Sequence, residues 1–249
     1  MLRAEFQKMK RTVLFWMHVF VPVVGTGIIL YYYKRVGLLH MNARSIGEFT
    51  EILSLTFPAL SGIVCALAVE METEAGNMQV LLGGIAGKYR TVAVKLLALL
   101  LLAGMGTVLA IGCYVAGIWI DTGEQIPASL ILFTGESIVV LLGTQLLTYV
   151  FHLFLSLKWQ KGVSMGAGIV ESMLGVLFLT TMGDGIWMYC PFAWGTQFLK
   201  YMLYYKEKIV AKMTGDFKIG VGMSVGMTVL FTVGFFLWFS RYEGKKEVE

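Results

Sequence analysis

Six apolar runs, each about the length needed to cross a bilayer as a helix, dominate the chain: 13–33, 49–69, 92–120, 128–157, 163–182 and 220–240. A hydrocarbon core of roughly 30 Å takes about 20 helical residues at about 1.5 Å each. Only helices or closed barrels satisfy every backbone polar group there. Runs this long predict an all-α integral membrane protein with about six spans. The rest of the composition agrees, since 57% of the residues are hydrophobic and 14% charged, against roughly 25% charged in a globular chain. The 249 residues make a single transmembrane domain, 1–249, with short connections.

Arg3, Lys8, Lys10 and Arg11 lead directly into the first run, which is too long for a signal-peptide core, so the N-terminus is expected in the cytosol. An even number of spans then puts both termini on that side. Twelve of the twenty basic residues fall in the cytosolic segments of this arrangement, the direction in which positive charge orients membrane proteins. Five of the other eight lie between Lys200 and Lys218. Leu2, Phe6 and Met9 recur at helical spacing, the pattern of a short interfacial helix within residues 1–12. The tail from Arg241 to Glu249 has no apolar periodicity.

Little here suggests chemistry. Cys65, Cys113 and Cys190 are scattered and read as small packing residues. His18, His40 and His152 lie in separate segments without metal-ligand spacing, so no metal site is expected. The stretch GGIAGKY around Lys88 lacks a glycine six positions earlier, where Leu82 stands, and carries Tyr89 where a phosphate loop needs Ser or Thr. The chain is expected to bind no ATP itself and to be no enzyme. Its basic residues flank membrane, which argues against a nucleic-acid partner. Pairs at GxxxG spacing, Gly83/Gly87, Gly162/Gly166 and Gly222/Gly226, read as helix-packing positions.

Two acids lie within runs, Glu136 in the fourth and Glu171 in the fifth. At that depth an ionisable group faces the bundle interior or water. It serves a substrate path or proton relay, or it is a neutral carboxyl bonded to a neighbouring polar side chain. Gln145, Thr148, His152 and Ser156 form one stripe on the fourth span, and by depth Gln145 and Thr148 are expected to meet Glu171. Residues 183–218 form a long aromatic connection holding Trp187, Tyr189, Phe192 and Trp194. It predicts one or two short helices on, or dipping into, the outer leaflet.

The segment 70–90 is the most charged link in the chain. Met71, Ala75, Met78 and Leu82 mark one apolar face of a short amphipathic helix, with Glu70, Glu72 and Glu74 at its start, where the helix dipole favours negative charge. Those acids are expected to be free to meet a partner, or else this is a connecting turn with well-placed caps.

Taken together, LRAEFQKMKRTVLFWMHVFVPVVG at the N-terminus, LTFPAL in the second run and the following E-x-E-x-E-x-G-x-x-Q-x-LL resemble the ABC-2 type permeases, most closely the MutG-like subunits of lantibiotic-immunity ABC transporters. The resemblance implies an elbow helix over Leu2 to Arg11 and outer re-entrant helices over Trp187 to Tyr205. It also implies a cytosolic coupling helix over Glu70 to Leu82, with Glu70, Glu72, Glu74, Gly76, Gln79 and Leu82 facing an ATPase. The implied partners are two copies of that ATPase, which holds the ATP and magnesium, and a second permease, MutE-like or another copy of this chain. The implied function is export of a lantibiotic or similar cationic peptide from a bacterial plasma membrane. Another substrate class, or a non-transporting scaffold or sensor, are the alternatives, since one such fold serves many substrates.

Overall fold

A computed structural model describes residues 1–76, 78–83, 87–209 and 215–244 of the chain. Parts of three sequence expectations lie outside those residues: 77 and 84–86 of the charged link, 210–214 of the aromatic connection and 245–249 of the tail. Among the described residues every regular element is helical. In chain order these are α1 (Leu2–Met9), α2 (Val13–Arg35), α3 (Ala43–Glu74), α4 (Gln79–Gly83), α5 (Lys88–Thr122), α6 (Ala128–Lys158), α7 (Lys161–Leu177), two 3-10 turns (Thr181–Gly183 and Trp187–Tyr189), α8 (Pro191–Lys206) and α9 (Gly215–Ser240).

By length and composition, five of the described helices can cross a membrane: α2, α3, α5, α6 and α9. The fifth apolar run does not give a sixth full span. Helix α7 has 17 residues, about 26 Å, and ends at Leu177 rather than near Met182. From there the chain turns back through the two 3-10 turns and enters α8 with a proline in its first turn. Helix α8 climbs beside the end of α7 in the same direction: Gln197 Nε2 donates to the Phe178 carbonyl and Lys200 Nζ to the Leu179 carbonyl. The aromatic connection therefore dips into the bundle, because Trp194, Leu199 and Ala193 have no water-facing surface to hold them outside.

Two ends of the bundle can be distinguished. At the far end Asn42 caps α3 by accepting from the Ser45 amide at 2.8 Å, Lys34 pairs with Asp121, and Glu124 accepts from the Met41 amide at 2.8 Å. At the opposite end, hereafter the α4 end, α3 finishes and α5 begins. Between them α3 forms the central post, packed on α6, α7 and α8, while α2 packs mainly on α5.

Proline in the middle of α3 explains how α7 seats. Pro58 interrupts the main-chain ladder, and the Ala59 amide donates instead to Ser172 Oγ of α7 at 3.1 Å. There the two backbones come so close that a β-carbon at Gly168 would lie 2.3 Å from the Pro58 carbonyl oxygen. Close packing thus falls on Gly168 and not on the GxxxG pairs. Gly83, Gly87, Gly162, Gly166, Gly222 and Gly226 all have open space where a side chain would start.

Candidate functional site

The charged link is built differently from the amphipathic helix that its spacing predicts. Helix α3 continues through the three acids to Glu74, and Gly76 (φ +150°) and Met78 (φ +62°) then break the chain before the five-residue α4. Only glycine adopts the first conformation readily. Glu70, Glu72 and Glu74 therefore occupy the C-terminal end of a helix, where the dipole disfavours negative charge, and cations supplied by other helices compensate.

Lys95 of α5 and Lys8 of α1 are those cations. Lys95 Nζ lies 2.8 Å from Glu72 Oε1 and 3.1 Å from Glu5 Oε2. Lys8 Nζ lies 3.0 Å from the same Glu72 oxygen and 2.9 Å from Glu5 Oε1. Glu5, Glu72 and Lys95 are buried, at 7%, 5% and 3% exposure. Burial alone would lower the Lys8 pKa, but hydrogen bonds and attraction from Glu5 and Glu72 outweigh it and hold the ammonium above its ordinary value. This neutral quartet, two acids and two bases, joins α1, α3 and α5.

Glu72, expected to be free for a partner, is thus committed inside the chain. Glu70 is held by Lys161 at the start of α7. Glu74 alone of the three is exposed without an ion pair among the described residues. Helix α4 is pinned by Met78 and Leu81, both buried among Val69, Val92, Leu96 and Phe239. The chain beyond α9 closes the same end: Lys88 Nζ donates to the Tyr242 carbonyl, and Tyr242 Oη to the Leu157 carbonyl at the end of α6, both at 2.8 Å. What stays outward is a compact face of Glu74, Gln79, Val80, Tyr89 and Arg90, with Gly76 and Leu82 half-buried beside it.

Within the spans, the polar stripe of α6 is divided between two neighbouring helices and α6 itself. Gln145 Nε2 donates to Thr107 Oγ1 of α5 at 3.2 Å. Thr148 bonds its own helix through the Thr144 carbonyl, as Ser156 does through the His152 carbonyl. Glu171 meets His152, not Gln145 or Thr148: Glu171 Oε2 is 3.4 Å from His152 Nε2, and His152 Nδ1 is 3.2 Å from Ser164 Oγ. Side chains lean toward the N-terminus of their helix. On the antiparallel pair α6 and α7 the long side chains of His152 and Glu171 therefore lean toward each other, a direction that depth counted at the backbone leaves out. Glu136 lies on the outward face of α6 between exposed Leu132 and Val139.

The aromatic residues of the dipping segment divide. Trp187 and Trp194 are buried, the latter donating from Nε1 to the Met188 carbonyl at 2.9 Å. Phe192 packs on Phe178, and Tyr189 remains exposed. Sequence reasoning missed Glu5, Lys8 and Lys95 as a group. The available signal was a lysine standing inside the third apolar run, which needs an anionic partner once buried.

Comparison with known proteins matches residues 1–175 to the family model described as "ABC-2 family transporter protein". No curated protein and no solved structure is detectably similar.

Proposed function

We propose, for a chain that belongs to the ABC-2 family of transporter proteins, that it is the permease subunit of an ABC exporter whose ATPase docks on the face around α4. Members of this family work with a cytosolic ABC ATPase. The reading carries further assignments: a bacterial plasma membrane, both termini and α4 in the cytosol, two ATPase copies bearing the ATP and magnesium, and a second permease completing the complex. A MutE-like subunit or another copy of this chain fills that last role. The cargo assigned is a lantibiotic or similar cationic peptide taken from the membrane, following the likeness of the N-terminal segment and the acidic link to immunity permeases.

One observation carries the docking assignment: the quartet of Glu5, Lys8, Glu72 and Lys95 ties α1, α3 and α5 together beside α4, the short helix that follows α3. A push on α4 reaches three helices without first rearranging loose side chains. Coupling of this kind needs a packed element biased as a unit. The outward Glu136 supports a second permease, because an ionisable group at membrane depth is covered by protein or water.

The test replaces only outward residues, Glu74→Lys with Val80→Asp. The expected result is loss of ATPase co-purification and of ATPase stimulation, with an unchanged melting profile of the permease. Normal ATPase recovery in that variant removes the docking assignment. Unchanged killing of cells by a lantibiotic, with and without the intact complex, removes the cargo.

A further inference from the structure

Helix α2 follows α5 and diverges from α3, leaving between them a groove of about 530 Å³ lined by residues of α2, α3, α5, α6 and α7. Its walls are apolar, with Leu53, Phe57 and Met173 among them, and its few polar side chains include His18, Thr26, Thr107 and Gln145. The size suits a small molecule of drug-like dimensions.

Gln145 gives the groove its chemistry. The residue is 2% exposed, and its amide nitrogen is used by Thr107 Oγ1. The Thr107 hydroxyl in turn gives its proton to the Ala103 carbonyl at 2.9 Å, so it offers the amide nitrogen a lone pair and fixes which way the amide points. Gln145 Oε1 is left buried with no hydrogen-bond partner among the described residues. His18 adds a second acceptor: its Nδ1–H is spent on the Leu14 carbonyl at 2.7 Å, so the neutral ring has only a lone pair left, at Nε2. Water is a poor occupant, because it needs two to four polar partners in a space whose walls are almost wholly apolar.

We propose that this groove binds a membrane-dissolved, largely apolar small molecule carrying at least one O–H or N–H donor, and that Gln145 Oε1 accepts from it. A lipid tail fills the volume but leaves the oxygen unpaired about 26 Å from one end of α6 and about 20 Å from the other, at a depth no headgroup reaches. An apolar body with a donor satisfies both walls and floor. The inference stands whatever cargo the complex exports.

The experiment uses the purified full chain in detergent with a photoreactive adamantyl diazirine alcohol and its O-methyl ether. The ether lacks the donor and adds one methyl group, which by itself would favour the ether in an apolar groove. The expected result is about tenfold tighter labelling by the alcohol, at peptides of the helices that line the groove, α2, α3, α5, α6 and α7. Gln145→Leu should abolish the preference with little change in melting, and Thr107→Ser, which keeps the hydroxyl, should retain it. The wild-type comparison decides the matter even if Gln145→Leu fails to fold. Equal labelling by alcohol and ether overturns the proposal and makes the groove a place for lipid tails. Labelling confined to other helices, with copies of the chain cross-linked through α2, overturns it in favour of a second chain as the occupant.

Discussion

Replacing Lys95 by methionine removes the more deeply buried of the two cations that each touch both buried acids of the α4 end. Lys95 is 3% exposed and contacts Glu72 and Glu5 at 2.8 and 3.1 Å. Methionine fills nearly the same volume, so packing changes little and the effect is electrostatic. Two carboxylates would then share Lys8, whose side chain is 36% exposed and which compensates only in part. Breaking a buried pair by removing one partner costs about 3–5 kcal/mol. That is the expected loss, read by reversible denaturation in detergent followed through tryptophan fluorescence. The double variant Lys95→Met with Glu72→Met leaves Glu5 and Lys8 as a balanced pair, 2.9 Å apart, and should recover at least ~1 kcal/mol relative to the sum of the two single losses. High salt should change little, since buried pairs are weakly screened. A single-variant loss below about 1 kcal/mol, or strictly additive losses, would refute the claim that the quartet acts as a unit.

Gly168→Ala should destabilise the chain by about 1–3 kcal/mol, because the new methyl meets the Pro58 carbonyl; Gly166→Ala, which meets nothing, serves as the matched control in the same denaturation. Glu171→Gln and Glu171→Leu should both stay within about 1 kcal/mol of wild type in the same denaturation, since Glu171 Oε2 approaches His152 Nε2 at 3.4 Å without giving that nitrogen a hydrogen bond; a larger loss in either would show that the contact carries weight. Glu136→Cys should react rapidly with a membrane-permeant maleimide in the isolated chain and slowly in the assembled complex. Equal rates would show that no second chain covers that face of α6.

The spans were legible because their signal is local: an apolar run of bilayer length needs no knowledge of its neighbours. The elements that went astray depend on distant partners. Helix α3 runs past Glu70 and Glu72 because Lys161, Lys8 and Lys95 neutralise them, and those cations stand on three other helices. With the partners unknown, the helix dipole assigned the acids to the start of a helix, while the structure has them at an end. Likewise the apolar run through Met182 hides the stop at Leu177, where the chain gains more by turning back and burying Trp187 and Trp194 than by extending one more turn. In the candidate site, the outward role of Glu74 could be read from composition. The inward role of Glu72, two residues away, needed the packing of α1 against α5.

The same contacts determine which parts of the bundle can move apart. Along the seam between α2 and α3 the groove leaves little contact, and α2 is held chiefly by close packing on α5 at Gly106 and by the Thr26 hydroxyl on the Ala110 carbonyl. Helix α3 is bound to α7 through the backbone contact at Gly168 and the Ala59 amide. Polar ties join the α5 side to the rest at three levels: the quartet at the α4 end, Gln145 with Thr107 at mid-depth, and Ser45 Oγ with Tyr114 Oη toward the far end. The first is a buried ionic cluster and the second a single hydrogen bond of roughly 1 kcal/mol net. Any rocking of α2 and α5 against α3 and α7 therefore opens at mid-depth before it opens at the α4 end. At the α4 end the ends of α3 and α5 are thus held together by charge, whereas beside the groove a single hydrogen bond from Gln145 is what spans α5 and α6.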